Sequence, residues 1–423
     1  MKISIQTLGT LGDVMPYLAL SKALAERGHQ VTVLAPRDYT TIIRGHGLTA
    51  ATPPDFSVGE WMARSGVRGT LRGPVNFFRD WPVMIRPHIE DVLTRSLDAA
   101  RGAGLVLANP VAMPARIAAE HHRLPFMLMA LQPVLTPGGA LPCAMIARRD
   151  MGGWLNRASY LAVTASLAGL GVALASARRR LVSRPRPGLA DLSRHLGEPL
   201  PRITALPAIL DIRQPAEWDS ASRLVAYPPL RSGSTPLPDD LVGFLAAGPP
   251  PVHLGLGSMQ VSGGAAKLAL WLDRLEAAGQ RAVIAAGLAQ RPPGSFGRHH
   301  VCGQVPHDRL FAQCRAVIHH GGAGTLDTAA RAGCPQIILP HVLDQFWNAT
   351  MLARTGVAPP PPKRTLDAGE IDRLLAFALS PRTRDTARQR RDELAAHEAD
   401  LPAAALIADL VEAHAGNRTA SAR

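Results

Sequence analysis

Short apolar runs alternate with helical stretches at the start of the chain. The apolar run at residues 2–8 is followed by a glycine-punctuated turn. Residues 16–27 come next, with apolar positions at helical spacing before Gly28. A second run, rich in β-branched residues, occupies 29–36, and another helix begins at 39–45. Strands joined through helices of this length pair in parallel, so we expect a parallel sheet with helices on its faces.

The same alternation restarts after a stretch that is dense in proline, glycine and serine. This stretch, residues 228–250, is predicted to link two domains, at 1–227 and 251–415, and residues 416–423 are predicted to fray. We therefore predict an α/β fold of two doubly wound, Rossmann-like domains that face a cleft. The last helix is expected to pack back on the first domain. Ligands of such sheets bind beyond the carboxyl ends of the strands.

The composition is that of an ordinary globular protein, with 47% hydrophobic and 19% charged residues, which excludes disorder over most of the length. The four cysteines lack disulfide or metal-site spacing, so we expect reduced thiols and no metal. The formal net charge is +13, yet only four of the 46 basic residues are lysines and aromatic residues make up 4%. Scattered arginine without stacking platforms argues against nucleic acid as a partner and leaves contact with anionic lipid open.

One segment needs to be weighed as a membrane span. Residues 158–177 carry no charge and are followed by Arg178, Arg179 and Arg180, which is the pattern of a spanning helix with a positive flank. The segment consists mostly of small residues, which insert weakly, so we expect a buried or interface-lining helix instead. The first residues also lack the pattern of a signal peptide.

The most informative stretch is a strand that ends at His319-His320 and is followed by Gly321-Gly322-Ala323-Gly324-Thr325, which opens a helix. Glycines at such a turn let backbone N–H groups approach a phosphate, and the helix N-terminus adds a positive dipole end. A structural turn with a packed histidine is the alternative. No Lys-Ser/Thr follows the glycines, which excludes a P-loop, and Gly9 to Gly12 lacks the spacing of a dinucleotide fingerprint.

The stretch HHGGAGT…RAGCPQIILP…DQFWNA resembles the donor-binding signature of family 1 glycosyltransferases with the GT-B fold. It is most similar to the branch of sterol glucosyltransferases and antibiotic-aglycone glycosyltransferases. TLGTLGDVMPYLALSKAL and FLAAGPPPVHLGLGSM resemble that branch's N-terminal loop and the entry to its second domain. The resemblance implies an acceptor-binding first domain and a nucleotide-sugar-binding second domain.

The resemblance also implies roles for individual residues of the second domain. The diphosphate would be held by Ser258, His319, His320 and the backbone from Gly321 to Thr325. Asp344 and Gln345 would bind hydroxyls of the donor sugar, and a solvated loop is the alternative for that pair. Gln304 and Val305 would lie against the nucleobase; many plant members have a stacking tryptophan where this chain has Gln304.

In the first domain, the resemblance implies that Asp13, in the loop beyond the first strand, is the general base. Plant members have a histidine in the corresponding motif, whereas this chain reads Gly12-Asp13-Val14-Met15-Pro16. Asp13 would take the proton from an acceptor hydroxyl whose oxygen then attacks the anomeric carbon with inversion. An N-cap of the following helix is the alternative role, and one residue can do both.

The function implied is transfer of glucose from UDP-glucose to a hydroxyl of an apolar small molecule or lipid, with no further cofactor. Two alternatives stay open: a dTDP-deoxysugar transferase of natural-product biosynthesis and a non-catalytic GT-B partner protein. A non-catalytic partner is expected to lose Asp13, His319 or the Asp344-Gln345 pair, and all are present. We expect the protein in the cytoplasm, with peripheral contact at the inner face of the membrane.

Overall fold

A computed structural model of the chain describes residues 1–60, 86–182, 200–233, 235–255, 264–362 and 366–421. The chain forms two compact units. The first comprises Met1–Leu206, Ile212–Leu230 and Leu401–Arg423, and the second comprises Pro207–Asp211 and Arg231–Asp400. The chain passes between the units within the stretch predicted to be a linker, and the C-terminal helix belongs to the first unit.

The first unit is built on a seven-stranded parallel sheet in the order β3-β2-β1-β4-β5-β6-β7. Its order reverses between β1 and β4, which is the doubly wound arrangement that the alternating pattern predicts. Its strands are β1 Lys2–Gln6, β2 Gln30–Leu34, β3 Thr49–Ala50, β4 Leu105–Ala108, β5 Phe126–Ala130, β6 Arg202–Leu206 and β7 Ser222–Ala226.

Helices cover this sheet and bury a large apolar core. The strands β4 and β5 are buried at every position, as expected for strands with helices on both faces. The helices are α1 Leu11–Glu26, α2 Thr40–Gly45, α3 Ile89–Ala100, α4 Met113–His122, α5 Gly153–Ala158 and α6 Tyr160–Leu181, with short 3₁₀ turns at Arg37–Tyr39 and Arg86–His88.

Within its described residues, the second unit repeats the architecture with six strands in the order β10-β11-β9-β8-β12-β13; β10 and β11 pair antiparallel and the other neighbours pair in parallel. The order reverses between β8 and β12. The strands are β8 Val252–Gly255, β9 Ala282–Ala285, β10 Gly294–Phe296, β11 His299–Cys302, β12 Ala316–His319 and β13 Gln336–Ile338.

The helices of the second unit lie on two apolar clusters, one on each side of its sheet. They are α7 Asp239–Ala246, α8 Gly264–Ala277, α9 Ala286–Ala289, α10 His307–Phe311, α11 Ala323–Arg331, α12 Gln345–Ala353, α13 Ala368–Ala378 and α14 Pro381–Asp400; α15 Ala403–Ser421 follows and joins the first unit, whose α1 it contacts. A 3₁₀ turn lies at Ala208–Leu210.

Three sequence-based boundaries differ from the structure. The helix predicted to begin at residue 16 begins at Leu11, because Thr10 and Asp13 form a reciprocal capping box that starts it earlier and leaves Pro16 inside it. The stretch predicted to be a linker contains α7. Residues 416–421, predicted to fray, continue the helix α15.

Candidate functional site

The glycine turn of the second unit lies where the strand order of its sheet reverses. β12 ends at His319, which pairs with Gly255 at the end of β8. The residues that follow His319 therefore stand at the carboxyl edge of the two central strands, where open α/β sheets bind ligands. Ser258, predicted to contact the diphosphate from the loop after β8, lies outside the described residues.

His319 is completely buried and both of its ring nitrogens are used inside the protein. Nε2 lies 2.8 Å from Oε1 of Gln336, and Nδ1 accepts a hydrogen bond of 3.1 Å from the Gly321 N–H. The Gln336 amide nitrogen in turn donates to the Leu326 carbonyl. The donors of His319 and of the Gly321 amide are thus both used within the protein. The predicted diphosphate site that remains consists of His320 and the amides of Gly322 to Thr325.

His320 has a different environment from its neighbour. Its Nδ1 is buried and has no hydrogen-bond partner among the residues that the structure describes. Burial lowers the pKa of His320 to about 4, with His341 and His307 adding to the effect, so the ring is neutral at pH 7. A Cβ on Gly322 would lie 2.6 Å from Nε2 of this ring, so glycine permits the close approach. A neutral imidazole can donate one hydrogen bond to a phosphate oxygen.

The amides after His320 form the N-terminus of α11, with Gly322 as the N-cap. The N–H groups of the first turn have no carbonyl partner within a helix, and the helix dipole favours an anion there. Gly321 bends the chain into this turn at φ 95, and a Cβ there would lie 2.7 Å from the Ile338 side chain. The turn is therefore restricted to glycine both by its conformation and by its packing.

The predicted sugar-binding residue Asp344 is joined to the glycine turn through a residue to which the sequence assigned no role. Asn348, on α12, donates from Nδ2 to the Gly321 carbonyl at 2.9 Å and to Asp344 Oδ2 at 3.0 Å. Asn348 is buried; its contact with Gly321 is shielded from water, and its contact with Asp344 is partly buried. The position of the Asp344 carboxylate is thereby coupled to the glycine turn, where the anion site is predicted.

Gln345 has its side-chain oxygen turned toward the loop before α12. Its Oε1 accepts hydrogen bonds from the backbone N–H groups of His341 and Val342, at 2.8 and 3.1 Å. Leu343, just before the pair, has φ 50, a left-handed conformation that is rare for a leucine. Such strain clusters at ligand sites. The side chain of Gln345 thus fixes the loop before α12.

The two residues predicted to contact the nucleobase follow β11. Gln304 is exposed and Val305 is partly buried against the apolar cluster beneath α10.

A buried histidine lies near these residues. His253, on β8, is almost wholly buried, and neither of its ring nitrogens has a partner among the described residues. Its ring packs against Phe311 and His307, and burial holds the pKa of His253 well below its usual value.

Asp13, the predicted base, lies in the first turn of α1 and not in the loop before it. Its Oδ2 accepts hydrogen bonds from the Thr10 N–H at 2.8 Å and the Thr10 hydroxyl at 2.9 Å, so Thr10 is the N-cap. Burial raises the pKa of Asp13, and the two bonds from Thr10 partly offset that rise. A carboxylate with a raised pKa is better matched to removing a proton at neutral pH.

The backbone before Asp13 is shaped around its carboxylate. Gly9 has φ 137, and a Cβ there would lie 2.5 Å from Asp13 Oδ2. Asn109, which follows β4, donates from Nδ2 to the Leu8 carbonyl at 2.6 Å and accepts from the Leu8 N–H at 3.3 Å. The loop that leads to Asp13 is thus held from both central strands, at the point where the order of the first sheet reverses.

Among the described residues, no group of three or more His, Cys, Asp or Glu side chains is arranged to hold a metal ion.

Two family models match the chain. The N-terminal domain of glycosyltransferase family 28 matches residues 3–135. The C-terminal domain of erythromycin biosynthesis protein CIII-like proteins matches residues 289–412. The first match contains Asp13, and the second contains the glycine turn together with Asp344 and Asn348.

Among curated proteins, a sterol 3-beta-glucosyltransferase of Arabidopsis thaliana is 27% identical over 406 residues, which cover 90% of this chain and 63% of that protein. A sterol 3-beta-glucosyltransferase of Leptosphaeria maculans is 28% identical, over 83% of this chain and 25% of that protein. This chain thus spans less than two thirds of these relatives. An uncharacterized glycosyltransferase of Mycobacterium tuberculosis is 27% identical over 82% of this chain and 84% of its own length.

Solved structures show the same fold over almost the whole chain. The glycosyltransferase SnogD from Streptomyces nogalater superposes with a TM-score of 0.64 at 23% identity, covering 98% of this chain and 99% of that one. The glycosyltransferase VinC in complex with dTDP gives 0.65 at 20% identity, covering 99% of this chain and 100% of that one.

The two parallel sheets and the superpositions over almost the whole chain show the GT-B fold of glycosyltransferases. The chain carries a first domain of the glycosyltransferase family 28 type and a second domain of the erythromycin CIII-like type, and it is similar both to sterol glucosyltransferases and to natural-product glycosyltransferases.

Proposed function

We propose that the protein transfers a sugar from a nucleoside diphosphate sugar to a hydroxyl group of an apolar acceptor, with inversion at the anomeric carbon. The observation that carries the proposal is the connected set in the second unit: His320 and the α11 N-terminus beside the Asn348–Asp344 pair. An anion site is thereby coupled to a carboxylate that can accept hydrogen bonds from sugar hydroxyls.

The proposed reaction divides between the two units. In the first unit, the Asp13 carboxylate takes the proton of the acceptor hydroxyl, and the acceptor oxygen forms a bond to the anomeric carbon. The bond between that carbon and the diphosphate oxygen breaks, and the electron pair leaves with the nucleoside diphosphate. In the second unit, the amides of Gly322 to Thr325 and the N–H of His320 stabilise the charge that develops on the leaving group.

The donor we propose is UDP-glucose. The sterol 3-beta-glucosyltransferases that match most of this chain support a glucosyl donor. A dTDP-deoxysugar is the second candidate, supported by the complex of VinC with dTDP. The exposed Gln304 stands at the predicted nucleobase position, where many plant members have a stacking tryptophan, so the donor assay tests both pyrimidines.

The acceptor we propose is an apolar alcohol such as a sterol, polyketide or lipid, met in the cytoplasm. Sterol-directed relatives and natural-product transferases of the same fold support an apolar acceptor. We propose that the reaction needs no metal and no cofactor beyond the nucleotide-sugar co-substrate.

The test is a thermal-shift panel of UDP, dTDP, GDP and NAD⁺, followed by transfer assays with the nucleotide sugar of whichever base binds. A ligand that binds only the native state raises the melting temperature by mass action. We expect UDP, dTDP or both to raise it, and GDP and NAD⁺ to leave it unchanged. A shift with NAD⁺ alone, or with none of the four, would contradict the proposal.

A further inference from the structure

One face of α6 is exposed to solvent and carries no charge. Leu161 is 68% exposed and Val172 is 60% exposed. Exposed small residues lie between them at helical spacing: Ala162, Ala165 and Gly169. We call these five residues the α6 face. A surface helix of a globular protein normally turns charged and polar side chains to water, and contiguous exposed apolar surface marks an interaction site.

The opposite face of α6 fixes the helix to the first unit. Tyr160, Val163, Leu167, Leu170 and Leu174 are buried in the same apolar core as residues of α3 and α4. By length and hydropathy, Gly153–Leu181 is the one segment within the described ranges that could cross a membrane, yet 41% of its most apolar window is buried in the protein. Crossing a bilayer would remove these residues from the core. We therefore expect α6 to remain packed on the first unit, so that only its exposed face can contact a membrane.

The preceding helix extends the apolar surface with an aromatic side chain. Trp154, on α5, is 77% exposed, and Leu155 beside it is 38% exposed. Tryptophan combines a large apolar ring with a polar N–H, which suits the boundary between headgroups and acyl chains.

Positive charge borders this apolar surface. Residues 148–181 contain six arginines, of which Arg178 is buried and pairs with Glu120. The single acidic residue, Asp150, accepts hydrogen bonds at Oδ1 from Gly152 and Asn156. Arg149 and Arg179 are exposed. Arg157 pairs with Glu217 and Arg180 pairs with Glu90, and these two arginine side chains are 66% and 61% exposed.

We propose that the α6 face, Trp154 and the bordering arginines dock the protein on the surface of an anionic phospholipid bilayer. The apolar side chains enter the boundary between headgroups and acyl chains, and the arginines contact lipid phosphates. Charge complementarity selects this occupant over an apolar protein groove. The inference deepens the proposed function, on which its purpose rests, because a docked enzyme meets an apolar acceptor where that acceptor is dissolved.

The test is cosedimentation of the full chain with vesicles of phosphatidylcholine alone and of phosphatidylcholine with phosphatidylglycerol. We expect binding to the anionic vesicles that is released by salt, because charges near a surface are screened within about 10 Å at 0.1 M salt. The double variant Leu161→Ser/Val172→Ser should weaken binding about tenfold or more. Arg179→Ala/Arg180→Ala should weaken it by about fivefold for each arginine.

Matched controls remove the same kinds of group elsewhere. Val242→Ser changes an apolar residue that is 47% exposed in the second unit, and Arg101→Ala removes an arginine whose side chain is 75% exposed in the first. Both should bind vesicles like the parent. The proposal is overturned by absent vesicle binding, by equal losses in controls and variants, or by retention through carbonate washes. It is also overturned by self-association that Leu161→Ser abolishes. UDP affinity is measured separately, without vesicles. A protein that binds UDP but not vesicles contradicts the docking proposal alone, whereas a protein that binds neither UDP nor dTDP contradicts the proposed function.

Discussion

Replacing Asn348 by alanine tests the coupling between the glycine turn and the sugar-binding carboxylate. The change removes one amide nitrogen that donates to both the Gly321 carbonyl and Asp344 Oδ2. A buried carbonyl left without its donor costs about 1–3 kcal/mol of folding free energy. Asp344 also loses a contact that orients it, and a loss of about 1.4 kcal/mol corresponds to a tenfold weaker affinity.

We therefore expect Asn348→Ala to lower the free energy of unfolding by about 1–3 kcal/mol and to weaken UDP-glucose binding by about tenfold. UDP, which lacks the sugar, should lose less affinity. Chemical denaturation gives the first quantity, and calorimetric titration with the two ligands gives the second.

Thr350→Ala is the matched control on the same helix, since the Thr350 hydroxyl bonds only to the Phe346 carbonyl among the contacts seen. The control should leave the ratio of the two affinities unchanged. Equal weakening of UDP and UDP-glucose in Asn348→Ala would assign Asn348 a structural role alone. Unchanged stability and affinity would refute the reasoning altogether.

Three further predictions concern the base, the sugar contact and the buried histidines. Asp13→Asn should reduce transfer by at least about 100-fold, the usual contribution of a general base, while UDP affinity stays within a few-fold; comparable turnover in a steady-state assay would remove Asp13 from that role. Asp344→Ala should weaken UDP-glucose more than UDP in the same titrations, and equal losses would place Asp344 at the nucleotide. Burial lowers the pKa of His319 to about 3, so its unfolded form binds a proton below about pH 6.5 while the native form does not. Stability should therefore fall as the pH falls from 7 to 5, by about 2 kcal/mol for this histidine, and this fall should be smaller in His253→Phe, which lacks a second buried histidine; a denaturation midpoint that does not change with pH would contradict this.

The architecture of both units could be predicted from the alternating pattern because buried parallel strands are near-continuous apolar runs. The ends of the helices were harder to predict. The helix α1 begins at Leu11 because of the Thr10–Asp13 capping box, whereas Pro16 and the glycines before it favour a later start in the sequence.

The sequence predicts which residues form the candidate site, but it does not predict how the contacts of those residues differ. His319 and His320 are adjacent, and only the side-chain contacts show that His319 turns inward to Gln336, while the buried Nδ1 of His320 has no partner among the described residues. Asn348 had a signal, its i+4 spacing from Asp344 on one helix. Its second contact, to Gly321, joins residues far apart in the chain and depends on tertiary packing.

The most direct measurement is a calorimetric titration of UDP and dTDP into the parent chain, Gly322→Ala and Gly243→Ala. In Gly322→Ala the new methyl group would lie 2.6 Å from Nε2 of His320, whereas the same change at Gly243 meets no atom within 4 Å. We predict that the parent and Gly243→Ala bind at least one nucleotide with equal affinity, and that Gly322→Ala binds it at least about tenfold more weakly, a loss of about 1.4 kcal/mol. A parent chain that binds neither nucleotide, or a Gly322→Ala variant that binds as well as Gly243→Ala, would contradict the assignment of the diphosphate site to this turn.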